Sequence, residues 1–214
     1  MPVAEEIPYS AYTVIDLLDA FASNEPFPGG GSAGALAGAT GVSLLIMAAG
    51  LAKTRTGAPE EAADLSEASA RLRPLRDSLV TLIDRDSQAY RAVIDAFRLP
   101  KASDAETRTR ATAVQQAMQG ATEVPLDTMR ACQQALRGAI VVARNALSTA
   151  KSDVATGIEL LLAGLRGSAM NIDANLQSVK DAAFAARIRT ERDQLVSDGE
   201  ADAQQARRLL GYFV

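Results

Sequence analysis

No histidine, no tryptophan and a single cysteine occur among the 214 residues, and each scarcity removes a class of chemistry. Without histidine there is no Ser-His or Cys-His nucleophile pair, and an imidazole-based zinc site is excluded as well. Acid–base work falls to Asp, Glu, Lys, Tyr or bound water. The lone Cys132 cannot close a disulfide within the chain. It lies among Met129, Leu136 and Ile140 at helical spacing, which reads as a small buried hydrophobe. Residues 1–12 carry neither a basic nor an apolar leader segment, so a cytoplasmic protein is expected. Lys and Arg (22) are interspersed with Asp and Glu (26), leaving a net charge of −4 and no basic patch. A nucleic-acid partner is therefore not expected. Aromatics are only 4% of the chain, and strand-forming runs are missing.

What the chain does have is alanine in abundance and 48% hydrophobic residues, enough for one helical domain over residues 1–214 with a substantial core. Residues 26–52 contain no charge at all. This stretch opens with Pro26-Phe27-Pro28-Gly29-Gly30-Gly31-Ser32, where two prolines and three glycines cannot continue a regular element and predict a tight loop. Ser32 then offers an N-cap hydroxyl to an Ala/Gly-rich helix running to about Leu51. The first amides of that helix lack internal partners, and glycines before them let a ligand approach the backbone. The bland alternative is a turn before a core helix, and both readings stay open on spacing alone.

Two nucleotide readings fail. Residues 29–34 fit G-x-G-x-x-G, but no strand precedes them, and Lys53-Thr54-Arg55 stands where an acidic residue should follow. No Gly-Lys-Ser/Thr follows either. Residues 33–52 are long enough to span a membrane, yet Gly34, Gly38 and Gly41 with Ala37 and Ala48 supply little transfer energy. They predict a central helix packed closely among others, with no membrane partner.

Periodicity predicts the surrounding helices. Thr13 and Asp16 resemble a capping box for a helix over about 13–22. Leu65, Leu72, Leu79, Leu82, Ile83, Val93 and Ile94 set one from about Glu60 to Phe97, kinked at Pro74. Ser103 or Asp104 caps a helix reaching about Ala121, and Val124-Pro125-Leu126 predicts a turn or kink before a further helix towards Ala150. Ser152-Asp153 reads as a break and recap, with a carboxylate in or next to the first turn of a helix towards Asn175. Beyond Leu176 the helix runs on or restarts near Ser178, and residues 191–210 form a charged, weakly amphipathic end. The fold class is all-α, an up-and-down bundle around the Ala/Gly-rich helix.

Polar residues in three places invite a functional reading. Asn171 and Asn175 share a helix face, where their amides can bond across helices or read the amide-like edge of a heterocycle. Asp153 is a cap or a functional carboxylate. Lys53 and Arg55 complement the C-terminal dipole of the central helix or meet an anion.

Together with Asp86 and Ala89-Tyr90, Leu99-Pro100-Lys101, Ala121-Thr122-Glu123-Val124-Pro125-Leu126, Ser152-Asp153 and residues 165–175, the Pro-Gly-Gly-Gly-Ser loop resembles one family. It is that of the formiminotetrahydrofolate cyclodeaminases and methenyltetrahydrofolate cyclohydrolases. The resemblance departs at Lys53-Thr54-Arg55-Thr56-Gly57-Ala58, where family members usually carry a Gly-Lys-(x)-Lys-Tyr type segment, and just before Ser152, where they often have asparagine. It implies an all-α homodimer acting on folate-bound one-carbon groups. Such a protein closes 5-formiminotetrahydrofolate to 5,10-methenyltetrahydrofolate with loss of ammonia, or interconverts the methenyl and 10-formyl forms. The folate is then substrate, with no cofactor and no metal. On this basis Asp153 is the expected catalytic carboxylate. Gly29, Gly30, Gly31, Ser32 and Ser152 line the substrate site, Asn171 and Asn175 orient the substrate, and Lys53 or Arg55 meets its glutamate tail. An inactive folate-binding member and a purely structural bundle protein are the alternatives.

Overall fold

The computed structural model describes residues 7–211; residues 1–6, half of the segment read for a leader, and residues 212–214 lie outside it. A 3-10 turn over Tyr9–Ala11 precedes six helices, α1 Val14–Phe21, α2 Gly30–Ala49, α3 Pro59–Arg98, α4 Asp104–Asn145, α5 Lys151–Leu176 and α6 Ala182–Leu210. No strand occurs among the described residues, only an isolated bridge between Thr54 and Ala146.

From α2 onward each helix runs antiparallel to the next. Ser32 meets Ile83 and Asp86 while Gly38 meets Leu79, so α3 returns along α2. Asp64 meets Asn145 and Arg85 meets Asp127 between α3 and α4. Asn175 reaches Ala121 between α5 and α4, and Arg166 pairs with Glu200 between α5 and α6. This is the expected up-and-down bundle. One end gathers the start of α2 and the ends of α3 and α5; the other gathers the end of α2 and the starts of α3 and α5. By length and composition α2 would span a membrane, but it is the core helix here, with Ala35, Val42 and Leu45 wholly buried.

Small residues allow α2 and α5 to touch backbone to backbone. A Cβ on Gly41 would lie 2.7 Å from the Gly157 carbonyl oxygen, and one on Gly164 would lie 2.7 Å from that of Gly34. Gly41→Ala should therefore push the helices apart and cost about 1–3 kcal/mol, the usual range for overpacking. Gly120 in α4 faces open space, so Gly120→Ala should instead raise stability by about 0.5–1 kcal/mol through helix propensity. Chemical denaturation of the two variants measures the contrast.

Of the turn or kink expected at Val124-Pro125-Leu126, the turn does not occur: α4 continues through it to Asn145. Proline lacks the N–H that would bond the carbonyl four residues back, which is that of Ala121. Asn175 supplies the missing donor, its Nδ2 lying 2.9 Å from the Ala121 oxygen. Burial of Val124, Pro125 and Leu126 against neighbouring helices offsets the rest. Pro74 likewise sits inside α3 without ending it. Ser103, with Glu106, forms the capping box of α4. After Leu176 the chain breaks and restarts at α6, where the Asp181 side chain accepts from the Ala183 and Phe184 amides. The charged helix α6 is held by buried Ala203, Ala206 and Leu210 and by ion pairs such as Arg130–Glu191 at 2.7 Å.

Candidate active site

Ser32 is not the cap of α2. The cap is Gly29, which has no side chain, and Ser32 lies inside the first turn with its hydroxyl donating to the Ile83 carbonyl at 2.9 Å. The capping task passes to another helix. Asp86 of α3 accepts from the Ser32 amide at 2.9 Å and from the Ser32 hydroxyl at 3.0 Å, both through Oδ2. A carboxylate from a long-range neighbour, set against the start of a helix, does what a local cap would do and adds favourable charge–dipole interaction.

This approach is possible only because residue 31 is glycine. A Cβ there would stand 2.0 Å from Asp86 Oδ1. Asp86 is half-buried, and burial raises its pKa above the ordinary 3.8, partly opposed by the two Ser32 hydrogen bonds. The amides of Gly30 and Gly31, first in the helix, have no carbonyl within it to bond.

Asp86 and residues 29–31 border a hollow of about 210 Å³ that Asn171, Asn175 and Tyr90 also line. Asn171 Nδ2 donates to the Gly167 carbonyl at 2.9 Å, and Asn175 Nδ2 to that of Ala121. Both amide groups are thereby oriented by their nitrogens. Phe27, reached through a cis Phe27–Pro28 peptide, packs edge-on to Tyr90 and beneath the Arg91 guanidinium, 5.0 Å from the ring centre. Phe27 also borders a neighbouring cavity of about 700 Å³ lined by Tyr9, Tyr12, Asp84 and Arg91. The hollow thus combines a carboxyl whose pKa burial raises, two helix-start amides and two fixed amide side chains. Such a set can hold a planar, amide-rich heterocycle and move protons on it.

Of the residues expected from the sequence, Gly29, Gly30, Gly31, Asn171 and Asn175 come together here, with Ser32 directly behind. The others do not join them. Asp153 stands in the first turn of α5, eighteen residues before Asn171, or about 27 Å along the helix. Ser152 is beside it and exposed; the cap of α5 is Ala150, without a side-chain bond. Lys53 and Arg55 lie at that same far end, after α2. Their loop is pinned by Glu61, whose Oε2 accepts from the Thr54 hydroxyl at 2.7 Å and the Thr56 amide at 2.8 Å, with Arg55 3.6 Å from the other oxygen. The Thr56 amide first, then the Thr54 hydroxyl, lower the Glu61 pKa from 4.5 to about 2. A lowered carboxylate pKa stabilises the fold above its ordinary value and ceases to do so as pH falls through the folded one. Glu61→Gln should lower the melting temperature near pH 7, and the deficit should vanish as pH is taken from about 4.5 to about 2 in a thermal scan series.

Cys132 is wholly buried and its thiol is pushed up to about 12 by burial, as befits a core residue and not a nucleophile. Asp86 was not singled out for a role from the sequence. The signal was there: it occupies the core-facing stripe Leu79, Ile83, Asp86, Tyr90, Val93, where an apolar residue is expected.

Residues 13–194 match the formiminotransferase-cyclodeaminase family. The chain belongs to that family. Among members, a methenyltetrahydrofolate cyclohydrolase of Methylorubrum extorquens is 35% identical over 189 residues, covering 88% of this chain and 91% of that one. A formimidoyltransferase-cyclodeaminase of Gallus gallus is 28% identical over 86% of this chain, which spans 33% of the larger bird protein. The crystal structure of a formiminotetrahydrofolate cyclodeaminase from Thermotoga maritima superposes with a TM-score of 0.83 and 22% identity, covering 94% of this chain and 96% of that one. This family's fold is therefore the one observed here, and the hollow at the start of α2 lies within the matched residues.

Proposed function

We propose that this family member is a folate one-carbon enzyme that hydrolyses 5,10-methenyltetrahydrofolate to 10-formyltetrahydrofolate. The observation that carries the reading is that Asp86, Gly30 and Gly31 at the start of α2, and Asn171 and Asn175 line one hollow. The 35% identity to a methenyltetrahydrofolate cyclohydrolase supports this reaction ahead of ring closure with ammonia release.

In the methenyl substrate one carbon bridges N5 and N10 in a delocalised cation. Water adds to that carbon and loses one proton, leaving a hydroxyl; as the carbon–N5 bond breaks, the hydroxyl gives up its own proton to become the formyl oxygen, N5 takes one proton, and the formyl group remains on N10. One proton is released overall. Asp86 accepts the proton from the attacking water and returns it to the departing N5, and its carboxylate offsets the cation before attack. A carboxyl whose pKa is raised by burial suits both tasks better than an exposed one. Asn171 and Asn175 orient the pterin edge. The reaction is acid–base throughout, so the folate is substrate and the chemistry calls for no other cofactor and no metal.

The same reading assigns the chain to the cytoplasm as a homodimer. Asp153, Ser152, Lys53 and Arg55 sit too far from the hollow to act on it from within one chain, so their assigned roles as catalytic carboxylate, wall and glutamate-tail contacts depend on that dimer. The test is direct. The purified chain is mixed with 5,10-methenyltetrahydrofolate while its absorbance is followed, and with 5-formiminotetrahydrofolate while ammonia is measured. Loss of the methenyl absorbance without ammonia chemistry is expected. Ammonia release would replace the reaction by cyclodeamination, and saturable binding without turnover would make the chain an inactive folate binder.

A further inference from the structure

Pro125 sits inside α4, where it withholds the N–H that would occupy the Ala121 carbonyl and crowds that oxygen with its ring. Asn175 Nδ2 donates to the carbonyl instead, at 2.9 Å, from fifty-four residues away. Ala121 and Asn175 both line the hollow, so the repair of a helix defect stands in the wall of the site. The bond also fixes which way the amide points. A carbonyl oxygen accepts and cannot donate, so only the NH2 end of Asn175 can face Ala121, and its Oδ1 end is left over. Asn171 is turned in the same sense, because its Nδ2 donates to the Gly167 carbonyl. Its amide stands beside Gly30, whose added Cβ would lie 3.3 Å from Nδ2 and 3.7 Å from Oδ1. Among the described residues no donor meets Oδ1 of either asparagine, and neither oxygen is sealed in the interior.

Building on the proposed reaction, we infer that Pro125 is a positioning residue for the substrate: it draws the Asn175 nitrogen onto Ala121 and so holds Asn175 Oδ1 as an acceptor for the N–H edge of the pterin. In 5,10-methenyltetrahydrofolate that edge is the 2-amino group with the ring N3–H beside it, and both are donors. An asparagine amide offers a donor end and an acceptor end of nearly equal shape, so an unanchored one can present either. With both nitrogens committed to carbonyls, Asn171 and Asn175 present two acceptors, which suit a donor edge and leave an acceptor edge unpaired. A site built in this way discriminates against an analogue that lacks the matching group. An ordinary residue at position 125 would reclaim the Ala121 carbonyl for α4 and release Asn175. Proline is strongly unfavourable inside a helix, and the fixed acceptor is what the site gains from it.

Pro125→Ala restores an N–H to α4 and leaves Asp86, on α3, in place. Its KM for 5,10-methenyltetrahydrofolate should rise about two- to tenfold, the scale of one hydrogen bond, with kcat within about twofold of wild type. Asn175→Ala should raise KM similarly, and Pro125→Ala/Asn175→Ala no further than Asn175→Ala alone, because the proline acts through the asparagine. The edge itself is probed with the substrate analogue in which a methyl replaces the 2-amino group. Wild type should disfavour it in kcat/KM by about tenfold or more, and both single variants by clearly less. Pro125→Val keeps the buried bulk while regaining the N–H, so it should raise KM as Pro125→Ala does even if the smaller side chain upsets packing. In a crystal structure of either variant, the amide of residue 125 should bond the Ala121 carbonyl in place of Asn175. Asn175 Nδ2 still on that carbonyl, additive effects in the double variant, or an unchanged KM in both variants at residue 125 overturns the inference. So does the pattern of a purely structural role, in which Asn175→Ala lowers the melting temperature only when Pro125 is present and KM never moves. Wild type that neither binds nor turns over the folate overturns the proposed reaction and this inference together, whereas turnover with an unmoved KM overturns the inference alone.

Discussion

Asp86→Asn is expected to lower turnover of 5,10-methenyltetrahydrofolate on the order of a hundredfold or more, while the variant melts no lower than wild type. The two halves of this forecast have different causes. Asparagine can place its carbonyl oxygen where Oδ2 lies and keep both bonds from Ser32, but it cannot accept a proton from water or return one to N5. The stability forecast follows from the direction of the pKa shift. Burial raises the Asp86 pKa, so the folded state favours the neutral carboxyl and its charge weighs against folding at any pH above the folded value. Removing the charge should leave the melting temperature unchanged or higher at pH 7, and the gap should close as the medium is acidified below the ordinary carboxylate pKa. A pH profile of kcat/KM adds a check a structural role would not move: the wild-type acid limb should lie above the ordinary carboxylate range and be lost in the variant's residual activity. Full activity in Asp86→Asn would end the assignment.

The fold was legible because every long helix is amphipathic or uncharged and the breaks between them are chemically marked. Thr13, Ser103 and the glycines at 29–31 announce helix ends by local bonding or backbone freedom, and the structure follows them closely. Local rules failed where a partner distant in sequence took over a local task. Pro125 should have broken α4, but the carbonyl it leaves bare is bonded by Asn175, fifty-four residues on. Ser32 should have capped α2, but Asp86, again fifty-four residues away, accepts its amide and frees its hydroxyl for α3.

The site was legible by halves for the same reason. The sequence puts residues 29–31, Asn171 and Asn175 on the ends of predicted helices, and antiparallel packing brings those ends together. The same packing carries Asp153, Lys53 and Arg55 to the other end, because α2 and α5 run opposite ways and each has one terminus at either pole. Composition alone cannot order these ends in space. A helix start explains Asp153 at once, whereas a lone acid in a core-facing stripe at Asp86 has no local explanation.

Gly31→Ala is expected to cost nearly as much turnover as Asp86→Asn and, unlike it, to destabilise the protein. The added methyl would stand 2.0 Å from Oδ1, 2.5 Å from Cγ and 2.8 Å from Oδ2 of Asp86, far inside van der Waals contact. The carboxylate must swing out or the first turn of α2 must lift. Either movement lengthens the bonds to the Ser32 amide and hydroxyl, each now 2.9–3.0 Å, and misplaces the proton-carrying group from the hollow. Overpacking of this kind costs about 1–3 kcal/mol. A neighbouring comparison separates this clash from a general intolerance of side chains in the loop: at Gly30 a methyl would come only within 3.3 Å of the Asn171 amide, so Gly30→Ala should be milder in stability. The cause can be isolated with Asp86→Ala, which removes the colliding carboxylate. If the clash is the mechanism, Gly31→Ala should cost much less stability in the Asp86→Ala background than in wild type, a coupling of at least about 1 kcal/mol in a double-mutant cycle measured by denaturation. Equal costs in both backgrounds would mean that Gly31 is needed for its own backbone and not for the approach of Asp86.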